Sequence, residues 1–306
     1  MSGEPIVVGV DGSPESAAAA AAGWMLAQVM GVDCRLMHVT RDVRSSLEMA
    51  GAGVSLDALE LAMLRRARNE ILTSLGNSVP PSVLQQLLVR PGRVAAVLND
   101  VITERGAQML VLGGKHHSAL GRWLGGSTVQ EVVRRLNVPL LVTTGALRPR
   151  PRVMVAVDVS YAAKPTIEQA TTFAQLLGGP LHALHVIEPA VTVPDVIFRT
   201  EPLDYAEWSR ERMERDLWPL LPIPDHHKVI RRGEARATIT EEAAAWRADV
   251  IVVGSHGKGW IDRLLIGSVT EELLNDLPCA VLVIPVPAPV RREMMPARVR
   301  TAVAPA

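Results

Sequence analysis

The chain repeats itself. Ile6-Val7-Val8-Gly9-Val10-Asp11-Gly12-Ser13 aligns with Val153-Met154-Val155-Ala156-Val157-Asp158-Val159-Ser160, which sets Asp158 against Asp11 at an offset of 147. Leu36-Met37-His38-Val39 meets Ala183-Leu184-His185-Val186 at the same offset. Further on, Val89-Arg90-Pro91-Gly92 meets Ile230-Arg231-Arg232-Gly233 at an offset of 141, so the first copy carries six more residues between these blocks than the second. A repeat of this length is a whole domain with its own core, and 306 residues accommodate two such units of ~150. The alignment predicts domains over 1–146 and 152–287. They are divided near Leu147-Arg148-Pro149-Arg150-Pro151, where two prolines and two arginines break any regular pattern. The Pro-, Ala- and Arg-rich stretch over 288–306 lacks periodicity and is expected to be a flexible tail or an arm that contacts a partner.

Within each copy, short apolar, β-branched runs alternate with helical stretches. In the first copy they predict strands near 5–10, 34–39, 84–89, 108–113 and 139–143. Apolar residues on consecutive positions suit parallel strands covered on both faces. Ser13-Pro14-Glu15 offers an N-cap, a proline for the first helical position and an acid in the first turn, and the alanine-rich helix that follows should stop near Gly31. Alternation of this kind gives a doubly wound α/β fold with ligands at the carboxyl ends of the strands.

Composition narrows the function classes. Lys plus Arg and Asp plus Glu are both 32, so nothing marks a nucleic-acid binder. No apolar run reaches the ~18 residues of a membrane span, and no basic stretch leads into an apolar one at the start. Cys34 and Cys279 each sit at or beside the start of an apolar run. They are expected to be buried free thiols of a soluble, cytoplasmic protein rather than a disulfide or metal pair. Aromatics make up only 3%, so Ala, Val, Leu and Met must fill the core.

A glycine pattern carries the chemistry. After the run Val250-Ile251-Val252-Val253 comes Gly254-x2-Gly257-x9-Gly267-Ser268. Gly254 is expected to permit the turn off the strand and Gly257 a close backbone approach to an anion. Gly267 and Ser268 open a helix whose free N–H groups, with the Ser268 hydroxyl, can hold phosphate oxygens. The first copy has the same layout with one glycine replaced: Gly113-x2-His116-x9-Gly126-Ser127. An imidazole there either blocks the backbone approach or donates a hydrogen bond to phosphate; the first copy is expected to bind more weakly. Asp11 and Asp158 end the first strand of each copy, where a carboxylate serves a ribose or caps the next helix equally well. Val39 and Val186 end the second strands and can floor a base pocket or simply pack. Arg122 and Arg263 precede Gly126 and Gly267 by four residues and are the best candidates for a cationic contact to phosphate. Lys115 and Lys258 are candidates of the same kind. His38 and His185 are expected to be structural, and no ligand-spaced partner makes His116-His117 a metal site. Gly-x4-Gly-Lys-Ser/Thr and a Gly-x-Gly-x-x-Gly after the first strand are both lacking, which argues against P-loop and dinucleotide-binding folds.

Val8-Gly9-Val10-Asp11-Gly12-Ser13, the Gly254/Gly257/Gly267-Ser268 loop and the closing Leu277-Pro278-Cys279-Ala280-Val281-Leu282-Val283-Ile284-Pro285 together resemble the universal stress proteins, in tandem form from Ile6 to about Ile284. The resemblance implies two five-stranded parallel sheets of strand order 3-2-1-4-5. It also implies an ATP site in members with the intact glycine pattern, with Mg²⁺ as a possible companion. The residues at 158, 186, 254, 257, 263, 267 and 268 would form the stronger site, and those at 11, 39, 113, 116, 126 and 127 the weaker one. It further implies a nucleotide-dependent sensor in stress adaptation or growth control, acting through an unidentified protein partner. The alternatives are a slow ATPase or adenylate-processing enzyme on the same fold, or an assembly module with one working site. No Walker-type acid is evident for hydrolysis. The last strand of each copy, Leu140-Leu141-Val142-Thr143 and Ala280-Val281-Leu282-Val283-Ile284, is expected at a sheet edge, available for pairing within the chain or for a homodimer.

Overall fold

The computed structural model describes residues 3–41, 56–114, 126–189, 202–255 and 266–286. The expected tail over 288–306 and the residues His116, Gly257, Arg263, Arg122, Lys115 and Lys258 lie outside them. The first half runs β1 (Ile6–Gly9), α1 (Pro14–Met30), β2 (Cys34–Thr40), α2 (Leu56–Leu75), α3 (Pro81–Gln85), β3 (Leu88–Pro91), α4 (Val94–Arg105), β4 (Met109–Gly113), α5 (Gly126–Val133) and β5 (Leu140–Thr143). The second half runs β6 (Val153–Ala156), α6 (Ala163–Leu177), β7 (Leu181–Ile187), α7 (Pro202–Arg212), β8 (Lys228–Arg232), α8 (Ala235–Trp246), β9 (Val250–Gly254), α9 (Ser268–Asn275) and β10 (Ala280–Ile284).

Local signals account for the boundaries of α1. Ser13 Oγ accepts from Ser16 N at 3.2 Å, Pro14 fills the first helical position, and Gly31 closes the helix at φ 67°. The third strand departs from expectation: residues predicted as its beginning form α3 instead. Pro80 and Pro81 fix φ for a helix start, Val83 and Leu87 turn inward from a helical turn, and the strand begins only at Leu88.

The ten strands form one sheet of order β3-β2-β1-β4-β5-β10-β9-β6-β7-β8. Each half has the order 3-2-1-4-5, and every pairing inside a half is parallel. The halves join by antiparallel pairing of β5 with β10: Leu140 opposite Val283, Leu141 opposite Leu282, Val142 opposite Val281. Leu141 and Leu282 are equivalent residues of the two copies, so a local two-fold axis passes between them and the seam has the self-complementary form of a symmetric dimer interface. Each last strand is the edge of its own half, and the two pair with each other within the chain, one of the two pairings expected of them. β5 and β10 pair on both sides at the centre of the sheet and leave no free edge there for a second chain. The true edges are β3 and β8, which carry Arg90 and Pro91, and Lys228, Arg231 and Arg232, residues that discourage further strand addition.

Two cores line the faces of this sheet, and each crosses the seam. One packs Ile6, Val8, Leu141, Val155 and Leu282 under α1, α2 and α6; the other packs Val7, Leu110, Val142, Met154 and Val281 under α4, α5, α8 and α9. Burial of each such side chain contributes about 1.5–3 kcal/mol. Cys34 and Cys279 are free, and burial pushes both thiols up to about 12, so they behave as small apolar groups. Among the described residues, no helix is long and apolar enough to cross a membrane.

Candidate functional site

In each half, the strand order reverses between the first and fourth strands, which opens a crevice at their carboxyl ends. Asp11 and Asp158 stand at the two crevices in equivalent turns: Ser13 N donates to Asp11 Oδ1 and Ser160 N to Asp158 Oδ1, both at 3.0 Å. Each turn is also held from the neighbouring strand. His38 Nδ1 lies 2.7 Å from Val10 O, and His185 Nδ1 lies 2.8 Å from Val157 O, with His185 Nε2 2.7 Å from Ser209 Oγ. The histidines position the aspartate turns, which is the structural role expected of them.

The crevice of the second half is a cavity of about 360 Å³. Ala156, Leu184, Val186, Ile239 and Val253 give it an apolar floor, and Asp158, Gly254, Gly267 and Ser268 stand at its margin. The fold thus brings together Asp158, Val186, Gly254, Gly267 and Ser268; Gly257 and Arg263 lie outside the described residues. Helix α9 starts at this cavity with Gly267 as its cap residue and, among the described residues, no side-chain cap, so its first-turn N–H groups have donor capacity toward the cavity. Two hydrogen bonds fix its start: Gly267 N donates to Ser255 O at 2.9 Å, and Thr270 Oγ1 to Gly254 O at 2.8 Å. Burial, and then the charge of Asp158, raises the Tyr161 phenol above its usual range and keeps it protonated.

The crevice of the first half is smaller, about 230 Å³. Asp11, Val39 and Gly113 line it, together with Val94, Leu98 and Leu112, where the second half has Ala235, Ile239 and Val253. Leu274 and Leu277, from the end of α9 and just beyond it, reach across the seam to close its wall. Gly126 and Ser127 open α5, as expected of the helix start.

One reason given for the glycines is corrected. Gly113 and Gly254 do not make the turn off their strands; each still pairs in the ladder, opposite Thr143 and Ile284 respectively. At Gly113 a Cβ would lie 2.6 Å from the Glu15 carbonyl carbon and 2.8 Å from Ser16 N, so the missing side chain lets α1 pack its first turn onto β4. Sequence reasoning also missed Glu188, Ala235, Ile239 and Glu271 of the second cavity. Glu188 lies only two residues beyond Val186, and the sole signal for it was the lack of likeness to Arg41 in the first copy.

Comparison with known proteins agrees with this architecture. The model of the universal stress protein family matches residues 3–144 and again residues 149–285. A universal stress protein of Mycolicibacterium smegmatis is 29% identical over 290 residues, covering 91% of this chain and 96% of its own. One from Mycobacterium tuberculosis is 28% identical over 291 residues, again covering 91% of this chain and 96% of its own. Among solved structures, a universal stress protein from Archaeoglobus fulgidus superposes with a TM-score of 0.63 at 19% identity, covering 92% of this chain and 98% of that one. At that identity, the likeness concerns the fold.

Proposed function

Because the chain belongs to the universal stress protein family, as two tandem copies, we propose that it is an adenine-nucleotide-binding regulator of stress adaptation whose second half holds ATP. The observation that carries this reading is the convergence of Asp158, Val186, Gly254, Gly267 and Ser268 on one cavity of about 360 Å³ at the uncapped start of α9. An anion placed there meets N–H donors and the positive end of a helix dipole. The apolar floor offers a surface for a base, and Asp158 between them an acceptor for ribose hydroxyls. Mg²⁺, when bound, would offset phosphate charge beside Asp158 and Glu271. The nucleotide acts as a signal rather than a fuel: bound and empty states offer different surfaces around α9 to a protein partner. The first half, with its smaller cavity, is assigned the weaker role.

Calorimetric titration with ATP tests this assignment. The wild-type chain should show one strong event. Asp158→Ala should weaken it about tenfold or more, Gly257→His should abolish it, and Asp11→Ala should leave it in place. If Asp11→Ala removes the strong event while Asp158→Ala spares it, the roles of the halves are reversed. If ATP gives no saturable heat, the nucleotide reading falls. Phosphate release well above background, lost in Asp158→Ala, would make the protein an enzyme instead.

A further inference from the structure

The second-half cavity has two chemically opposite ends. β9, β6 and β7 lie side by side, so Gly254 and the start of α9 stand at one end, Val186, Glu188 and the start of α8 at the other, and Asp158 between. The α9 end offers donors, since that helix begins without a side-chain cap among the described residues. At the α8 end the first-turn donors are already taken by carboxylates. Glu234 accepts from Arg236 N at 2.9 Å and from Ala237 N at 2.7 Å, and Glu188 Oε1 accepts from Ala235 N at 3.3 Å. What this end presents to a ligand is therefore an acceptor. Glu188 lines the cavity, and its Oε2 makes no hydrogen bond with a described residue. The first half is charge-reversed at both positions. Arg41 stands in the place of Glu188 at the offset of 147, and Arg93 in the place of Glu234 at the offset of 141. Arg93 precedes α4 without a side-chain cap bond.

We propose that Glu188 is a specificity-determining residue, selecting a purine with an amino group at carbon 6 over one with a carbonyl there. The proposal rests on the nucleotide reading above. If the phosphates lie at the donor end, the base crosses the floor formed by Leu184, Val186 and Ile239 and brings its edge to Ala235 and Glu188. A carboxylate only accepts hydrogen bonds. An amino group completes that bond, whereas a carbonyl oxygen sets acceptor against acceptor and leaves both without a partner on leaving water.

The test is calorimetric titration of the full chain with ATP and with ITP, which carries the carbonyl in place of the amino group. Wild type should bind ATP tighter by about tenfold or more, the scale of one hydrogen bond to a charged group. Glu188→Gln should bring the ratio close to one, because an amide both donates and accepts. Glu188→Arg, which installs the residue of the first half, should favour ITP. Glu188 is exposed, so these variants should melt at the wild-type temperature. Equal binding of ATP and ITP by wild type, or an unchanged ratio in Glu188→Gln, would overturn the role of Glu188 and leave the nucleotide site standing. Failure of both nucleotides to bind would overturn the site itself, and Glu188 selectivity with it.

Discussion

The two halves share strand order, seam register and the bond from serine N to the strand-end aspartate, yet their cavities differ in size, wall and charge. Where the second half has Ala235 and Val253, the first has Val94 and Leu112, and its remaining space is narrowed further by Leu274 and Leu277 from across the seam. At the base end, Glu188 and Glu234 face the counterparts Arg41 and Arg93. Duplication has kept what builds the sheet and changed what touches a ligand. Equivalent cores therefore do not make equivalent sites, and function has to be argued half by half.

Three measurements test how far the equivalence extends. The largest effect should come from the seam. Leu141→Ala and Leu282→Ala each empty a fully buried position and should each cost about 2–5 kcal/mol in urea unfolding. Equal costs would mean that the seam is energetically as well as geometrically symmetric; a wide gap would mean that one half relaxes around the loss and the other does not. A smaller effect should come from the turn after the first strand. Gly12 sits at φ 85°, whereas its counterpart Val159 is buried and is not among the residues with positive φ. Gly12→Val should destabilise by roughly 1–3 kcal/mol through backbone strain. A neutral result would show that the first half can adopt the turn of the second.

The smallest effect should be a pH slope confined to the second half. His182 is stacked on Trp246 at 4.9 Å with its Nε2 3.0 Å from Glu242 Oε1, and the first half has Arg35 at the matching position. Burial holds the His182 imidazole below its ordinary 6.5, despite the hydrogen bond to Glu242 that works the other way. Below pH 6.5 the unfolded chain then binds the extra proton and the folded one resists it. Stability should fall as pH drops through and beneath that value, and level off once the folded imidazole also titrates. His182→Gln, which keeps a donor for Glu242, should flatten the slope seen by thermal melting between pH 8 and pH 5.

Much of this was legible in the chain. Buried parallel strands announce themselves by apolar β-branched runs, and Ser13, Pro14 and Gly31 mark the ends of α1 because capping is local chemistry. The missed features depend on partners distant in sequence. Leu84 and Gln85 read as the start of a strand because the run into Leu87, Leu88 and Val89 is apolar, while the proline pair that bends them into a helical turn acts on φ alone. The packing role of Gly113 has no sequence signal, because the backbone of Glu15 and Ser16 presses onto β4 only once α1 has docked. Glu188 stayed hidden because a single charged residue after a strand has no pattern; it acquires meaning from the start of α8 beside it.

The antiparallel seam also has a consequence for mass action. In a dimer of separate chains, β5 and β10 would meet with a probability set by protein concentration, and any substitution would appear on both sides at once. Here a short covalent connection between β5 and β6 makes the encounter intramolecular, with an effective concentration that dilution cannot lower. The paired state should therefore persist in a cell that makes few copies. Each half is also free to take substitutions that the other does not share.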